Sequence, residues 1–330
     1  MVKVAINGFG RIGRSLTRVL QQYSNIEIVA INDLADARTL HHLLKYDSVH
    51  GKFEKALCVE GNQIIIDGQA IPVFNESLPE NLPWKKLEVD VVVECTGLFL
   101  TKELAHGHIL AGAKKVILSA PPKADNIKTV VLGINDDELS GLETVVSNAS
   151  CTTNAAAPLI KVLHDLYQIE SAYITTVHSY TGDQTLHDAP HKDLRRARAG
   201  AQSIIPTTTG AAKAVTKIFP DLDGNIGGCG IRVPVPNGSL IDISVILKED
   251  TTVEAINKAF KEASETYLKG ILEYTEDPIV SIDIVGNPYS CIFDAQLTSI
   301  TGSMVKLVGW YDNEMGYSNR LAELILKLSA

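Results

Sequence analysis

Residues 1–33 do most to limit what this chain can fold into. Val2 to Ile6 is a short apolar run that reads as a strand, and it leads directly into Asn7-Gly8-Phe9-Gly10-Arg11-Ile12-Gly13. That G-x-G-x-x-G opens a helical segment predicted from Arg14 to Gln22. A second apolar run, Ile26 to Ile31, ends in Asn32-Asp33 and sets an acid 20 residues beyond Gly13. Strand, glycine turn, helix, strand and terminal acid in this order match a dinucleotide-binding unit: the glycines let backbone approach a pyrophosphate, and the acid receives ribose hydroxyls. Gly8, Gly10, Arg11, Ile12, Gly13 and Asp33 are therefore candidate cofactor-binding residues.

Further strands are expected at Val89 to Cys95, Val116 to Leu118, Thr129 to Leu132 and Glu143 to Val146, mostly separated by segments able to form helices. This alternation predicts a doubly wound parallel sheet. The strands end in small or polar residues such as Ser119 and Ser147-Asn148-Ala149-Ser150, on the edge where such sheets bind ligands. Ala56 to Phe74, with turn signals at Gly61-Asn62 and Asp67-Gly68, reads as a small antiparallel insertion. After Cys151 the pattern changes to long strands at Ser171 to Tyr180, Gly230 to Leu247 and Ser303 to Trp310. Helices are expected near Ala156 to Leu166, Gly210 to Ile218 and Val253 to Leu268, which predicts an α+β domain with a mainly antiparallel sheet. A chain of 330 residues is long for one core. The expected division is a dinucleotide-binding domain over 1–149, completed by a C-terminal helix over 315–330, and a catalytic domain over 150–314.

Ser150-Cys151-Thr152-Thr153-Asn154 places one thiol among hydroxyl and amide groups where a strand turns into a helix, with Ser150 as N-cap. Backbone N–H groups and the helix dipole there favour a thiolate and can bind an oxyanion. An inert core thiol is the alternative reading of this segment alone. Pro158 fits the first turn of this helix or kinks one begun earlier. His178, at the end of an apolar strand, is a candidate base for the thiol. The basic run Lys192 to Arg198, followed by Pro206-Thr207-Thr208-Thr209-Gly210, suits an oxyanion. Arg232 is a lone charge among apolar strand residues and needs an anionic partner, either an internal carboxylate such as Asp242 or a ligand phosphate.

Composition narrows the class. Apolar content of 45% with 21% charged residues is ordinary for a soluble globular protein, and the net charge of −9 disfavours non-specific binding to nucleic acid or anionic membranes. No apolar run approaches the roughly 20 residues that span a bilayer, and the N-terminus lacks a basic region followed by a long apolar one, so the cytoplasm is the expected compartment. Five cysteines contain no CxxC pair and the histidines show no H-E-x-x-H spacing, so neither a disulfide framework nor a metal site is expected.

With these residues placed, the chain resembles the phosphorylating glyceraldehyde-3-phosphate dehydrogenases. The resemblance runs from Ile6-Asn7-Gly8-Phe9-Gly10-Arg11-Ile12-Gly13-Arg14, through the active-site signature Ser147-Asn148-Ala149-Ser150-Cys151-Thr152-Thr153-Asn154, to Trp310-Tyr311-Asp312-Asn313-Glu314. It implies NAD as cofactor, glyceraldehyde 3-phosphate and inorganic phosphate as substrates, and a homotetramer. By that similarity Cys151 is the nucleophile and His178 its base. Thr181 and Arg232 hold the substrate phosphate; Ser150, Thr152, Thr209 and Gly210 hold the attacking phosphate, with Arg195 nearby. Arg11, Ile12, Asp33, Ser119 and Asn313 contact the cofactor.

Three positions depart from the usual pattern of the family: Ala155 stands where a second cysteine is common, Ser77 where many relatives have an arginine near the adenine, and Gly238 where a larger residue is usual. Two other functions compete. Erythrose-4-phosphate dehydrogenases share the fold and signature, but Ser179-Tyr180-Thr181 keeps the threonine expected to hold a triose phosphate. A thiol sensor that binds dinucleotide without turnover would not need Cys151, His178 and both phosphate sets together.

Overall fold

The computed structural model describes residues 1–329. Contacts divide the chain into two compact units: Met1–Val130 with Asp137–Ala149 and the stretch from Ser318 onward, and Val131–Asp136 with Ser150–Tyr317.

In the first unit the parallel strands run in the order Lys128–Thr129, Val145–Ser147, Lys115–Leu118, Val91–Glu94, Val2–Asn7, Ile26–Asn32 and Gln69–Phe74. Val2–Asn7 thus lies between Ile26–Asn32 and Val91–Glu94, and the sequence order of the strands reverses beside it. Such a switch point opens a crevice at the carboxyl ends of the strands. Near-continuous apolar runs suit strands covered on both faces, and Ala5, Ala30, Trp84, Val92, Val116 and Leu118 form one buried cluster. The insertion is a meander of Leu57–Glu60, Gln63–Ile66 and Gln69–Phe74, whose last strand joins the parallel sheet through Ile31 with Val73 and Asn32 with Phe74. Its Asp67-Gly68 turn has φ of 48° and 87°, the left-handed pair a tight hairpin needs.

The first helix is Arg11–Leu20, three residues earlier than the pattern implied, because Gly10 caps it and the last glycine of the motif lies inside it. A Cβ on Gly13 would stand 2.3 Å from the Gly8 carbonyl oxygen, so its absence lets helix and strand meet.

The second unit holds a mixed sheet ordered Ile205–Thr207, Ile226–Val233, Ile169–Ser179, Ser239–Leu247, Met304–Tyr311, Cys291–Asp294 and Leu272–Thr275. Gly230 to Leu247 is not one strand. Ile226–Val233 pairs parallel with Ile169–Ser179, and Ser239–Leu247 pairs antiparallel on its other side. The chain must therefore leave the sheet between them, and Pro234 and Pro236 bring no N–H to a ladder there. Gly238 ends this crossing at φ +87°, where a Cβ would lie 2.2 Å from the Ser281 carbonyl oxygen. That backbone leaves room only for glycine in this chain. Gly238→Ala should lower stability by about 2 kcal/mol or more, from left-handed strain and overpacking together. Chemical denaturation checks this, and an unchanged midpoint would show that the crossing relaxes freely.

Helix Cys151–Tyr167 packs on this sheet. Pro158 sits inside it, so the helix begins before the proline: the Ser150 cap and the unbroken burial of Thr152 to Ile160 outweigh the missing N–H. The C-terminal helix is Met315–Ser329. Among the described residues no helix is long and apolar enough to cross a membrane, and no three His, Cys, Asp or Glu side chains gather as metal ligands.

Candidate active site

The glycine turn lies at the switch point of the first unit. Gly8, at φ +91°, would place a Cβ 2.7 Å from the Thr96 nitrogen, whereas a Cβ on Gly10 would meet nothing within 4 Å. The first keeps neighbouring strand ends close. The second leaves bare backbone at a helix start, where a pyrophosphate is attracted by N–H groups and dipole. Asp33 accepts from Phe9 N–H at 2.7 Å and Ala35 N–H at 2.9 Å, so its carboxylate fastens the glycine turn to the second strand and retains lone pairs for ribose hydroxyls. Arg11 pairs with Asp47 at 2.6 Å; burial works against the Asp47 carboxylate, but the N–H groups of His50 and Val49 and then Arg11 hold it down at about 2. Ile12 is half-buried in the first helical turn, and Ser119 follows strand Lys115–Leu118. These residues fit a dinucleotide.

In the second unit the alternation Ala172, Ile174, Thr176, His178 turns one face of a strand inward. Parallel register sets His178 beside Arg232. Ser150 Oγ accepts the Thr153 N–H at 3.1 Å, which fixes Cys151 as the first residue of its helix. The two elements bring Cys151 Sγ to 3.5 Å from His178 Nε2. His178 Nδ1 lies 2.7 Å from the Ser179 carbonyl and 2.7 Å from Arg232 Nη1, which itself donates to the same carbonyl at 3.0 Å. Arginine only donates, so these contacts describe two tautomers. With Nδ1–H on the carbonyl, Nε2 is the acceptor a base must be. With Arg232 on Nδ1, Nε2 carries the proton and can only donate to sulfur.

Burial and then the Arg232 charge push His178 down from its usual value to about 4, so at neutral pH the ring is neutral. Burial raises the Cys151 thiol; Arg232, the Thr152 hydroxyl and the N–H groups at the helix start oppose it without reversing it. The N–H groups of the helix start thus favour the thiolate but do not outweigh burial. The pair is better suited to proton transfer during attack than to a resting ion pair.

Asp242 is not the partner of Arg232; it takes Lys306 Nζ at 2.7 Å, and among the described residues no carboxylate forms an ion pair with this guanidinium. Thr181 donates its hydroxyl to Asp183, which also pairs with Arg196 at 2.8 Å. Burial disfavours the Asp183 charge, but Thr181, Arg232 and Arg196 together keep its carboxyl below the usual range. Thr209 and Gly210 precede helix Ala211–Ile218, with Thr209 Oγ1 accepting the Ala211 N–H. Arg195 is exposed on the loop, its N–H on Asp193. Thr152 is buried with its hydroxyl 3.0 Å from Tyr311 Oη, leaving its backbone N–H as the group to meet an anion. Asn313 accepts at Oδ1 from the Ser179 and Ser239 hydroxyls, both at 2.9 Å, which orients its amide.

Reasoning from the residues alone missed Tyr311, whose hydroxyl joins Thr152 and Thr176 and whose ring meets His178 edge-on. It also missed Asp183, and it took Arg196 only as part of the basic run, not as the partner of that carboxylate. The pattern W-Y-D-N around Tyr311 was visible, but only the register of Ser239 with Tyr311 carries it to the thiol.

The family model described as glyceraldehyde 3-phosphate dehydrogenase, NAD binding domain, matches residues 2–102, and that described as glyceraldehyde 3-phosphate dehydrogenase, C-terminal domain, matches residues 150–313. The chain is 54% identical over 325 residues to glyceraldehyde-3-phosphate dehydrogenase of Geobacillus stearothermophilus, covering 98% of this chain and 97% of the relative. It is 55% identical to the enzyme of the same name from Thermotoga maritima, covering 99% of this chain and all of the relative. The chain belongs to the glyceraldehyde-3-phosphate dehydrogenase family.

Proposed function

We propose that the chain oxidises glyceraldehyde 3-phosphate with NAD and inorganic phosphate to 1,3-bisphosphoglycerate, through a thiohemiacetal and a thioester on Cys151. The observation that carries this reading is the capped thiol 3.5 Å from His178 Nε2, with Arg232 Nη1 2.7 Å from the other nitrogen of the same ring. His178 takes the Sγ proton as sulfur adds to the aldehyde carbon and returns it to the new oxygen. It takes that proton again as the carbon loses hydride. Bound NAD supplies the hydride acceptor. A phosphate oxygen then attacks the thioester, the C–S bond breaks, and the acyl phosphate leaves. Helix-start N–H groups are suited to the oxyanion at each addition. The first unit is read as the cofactor domain and the second as the catalytic domain, in a cytoplasmic homotetramer. An assay of NADH formation with glyceraldehyde 3-phosphate, with and without phosphate, tests the reading; phosphate-independent steady turnover would reject it. Greater kcat/KM for erythrose 4-phosphate would move it to the rival aldehyde.

Arg232 serves both substrate and base. Arg232→Ala should impair the phosphorylated aldehyde roughly 10- to 150-fold more than glyceraldehyde, the worth of a charge-assisted contact. It should also move the acid limb of kcat/KM. The arginine charge disfavours imidazolium, so its loss lets His178 bind a proton at higher pH, and the limb shifts upward from about 4 towards the ordinary imidazole range. Equal losses on both aldehydes with an unmoved limb would leave Arg232 a structural role.

Asp33 should set a preference for NAD over NADP, since a 2′-phosphate meets its carboxylate. A like-charge pair at about 4 Å gives discrimination of roughly 5- to 1000-fold between the limits of water and an effective dielectric near 20. Pro190, which has no donor for that phosphate, supports the preference in a neighbouring subunit's site. Asp33→Gly should lose NAD affinity as well, because the Phe9 N–H loses its acceptor. The comparison is kcat/KM for both cofactors in wild type, Asp33→Gly and Asp33→Gly/Pro190→Ser. Equal wild-type use, or no gain with NADP in either variant, would contradict the assignment.

A further inference from the structure

Beneath the glycine turn lies a charge that the proposed chemistry does not use. Glu94, at the end of strand Val91–Glu94, is 0% exposed, as is His108 on helix Lys102–Leu110. Glu94 Oε2 is 2.5 Å from Asn7 Nδ2 and 3.2 Å from His108 Nε2; Oε1 receives the Thr96 N–H at 2.7 Å and the Thr96 hydroxyl. The protons can be assigned from the chemistry of the partners. Trp84 Nε1 is a donor only, and it lies 3.0 Å from His108 Nδ1, so that nitrogen is bare and the proton sits on Nε2. The imidazole is therefore neutral and donates to Glu94. Asn32 fixes the amide of Asn7 in the same way: Asn32 Oδ1 accepts the Glu76 N–H at 2.9 Å, so its Nδ2 donates to Asn7 Oδ1 at 2.7 Å, and Asn7 Nδ2 faces Glu94. Thr96 Oγ1 accepts from the Leu98 N–H at 3.1 Å, which frees its own proton for the carboxylate.

Every partner of Glu94 thus donates a proton and none is a cation. Among the described residues no lysine or arginine pairs with it, and the imidazole it accepts from is neutral. A carboxylate held by four neutral donors keeps its full field, and low dielectric surroundings carry that field further than water would. The charge has a defined place. Asp33 ends the strand on one side of Val2–Asn7 and marks the adenosine half of the crevice, while Glu94 ends the strand on the other side, toward the nicotinamide half.

We propose that Glu94 is a specificity-determining charge that makes the crevice favour a cationic nicotinamide ring over a neutral one. NAD and a neutral-ring dinucleotide share the adenosine and the pyrophosphate, so contacts to those parts cancel in the ratio of their affinities. A unit charge acting over about 10 to 15 Å at an effective dielectric near 20 changes such a ratio roughly 6- to 16-fold. The inference rests on the dinucleotide reading of this crevice, and ADP-ribose separates the two.

Calorimetric titrations of NAD, benzamide adenine dinucleotide (whose ring is planar and uncharged) and ADP-ribose into wild type and Glu94→Gln test the proposal. Wild type should bind NAD at least 6-fold more tightly than the benzamide analogue. Glu94→Gln should shrink that ratio by roughly 6- to 16-fold while ADP-ribose affinity changes far less. Equal loss for all three ligands would make Glu94 a structural residue and overturn the proposal, as would an unchanged ratio. Should Glu94→Gln fail to fold, the wild-type ratio still decides, because equal affinities for NAD and the benzamide analogue leave nothing for the charge to explain. If ADP-ribose does not bind wild type at all, the crevice itself has been misread.

Discussion

Cys151→Ser should abolish aldehyde oxidation, lowering kcat/KM by on the order of 10⁴ or more, while NAD binding is kept. The substitution preserves the Ser150 cap and the helix, so the fold has no reason to change. What it removes is the nucleophile. An alcohol at this position has its proton held far more tightly than a thiol, and the neutral imidazole 3.5 Å away is too weak a base to ionise it. Stoichiometric alkylation should inactivate the wild type with the label on Cys151. Cys95 is pushed up to about 12 by burial, and the buried Cys291 thiol is driven up by the same cause, so neither competes as a thiolate. Cys58 is exposed and is the informative rival: preferential labelling there or at Cys229 with activity retained would remove Cys151 from the mechanism.

His178→Asn should reduce kcat by roughly 10²- to 10⁴-fold, the range for a lost general acid or base, with substrate affinity nearly kept. An asparagine keeps a polar side chain at this place but cannot carry a proton between sulfur and oxygen. The pH dependence separates catalysis from structure. Because burial and Arg232 hold the ring neutral down to about 4, the base is available across neutral pH and its protonation should produce an acid limb only near that value. The limb should vanish in the variant, and Cys151 alkylation should slow, since no acceptor then waits for the thiol proton. A rate and profile equal to wild type would make His178 a packing residue against Tyr311.

The sequence made the elements around both centres legible because each carries a local signal. Gly8, Gly10, Gly13 and Asp33 are legible because a pyrophosphate crevice needs bare backbone and an acid at fixed offsets along one strand–helix–strand unit. Cys151 is legible because capping is local: Ser150 announces the helix that holds the thiol. Pairing across the sheet is not local, and there the reading ran out. Within Gly230 to Leu247 only Pro234 and Pro236 hint that the chain leaves the sheet, and nothing local calls for Gly238, because its reason is the Ser281 carbonyl, 43 residues away. Arg232 read as a buried charge in need of an anion; it is half-buried, and register with His178 rather than proximity to Asp242 decides its surroundings. Tyr311 and Glu94 were silent for the same reason, since their roles come from partners such as Thr152, Thr176, Asn7 and His108 that only the folded sheets assemble.

Covalent attachment of the substrate to Cys151 is the claim on which the rest depends. It is tested most directly by mixing the enzyme with excess NAD and glyceraldehyde 3-phosphate in the absence of phosphate, following NADH, and then mapping the acyl group by peptide mass spectrometry. The account predicts a burst of one NADH per Cys151, an acyl adduct on the Cys151 peptide, and steady turnover as soon as phosphate is added. Continuous NADH formation without phosphate and without an adduct on Cys151 would contradict it.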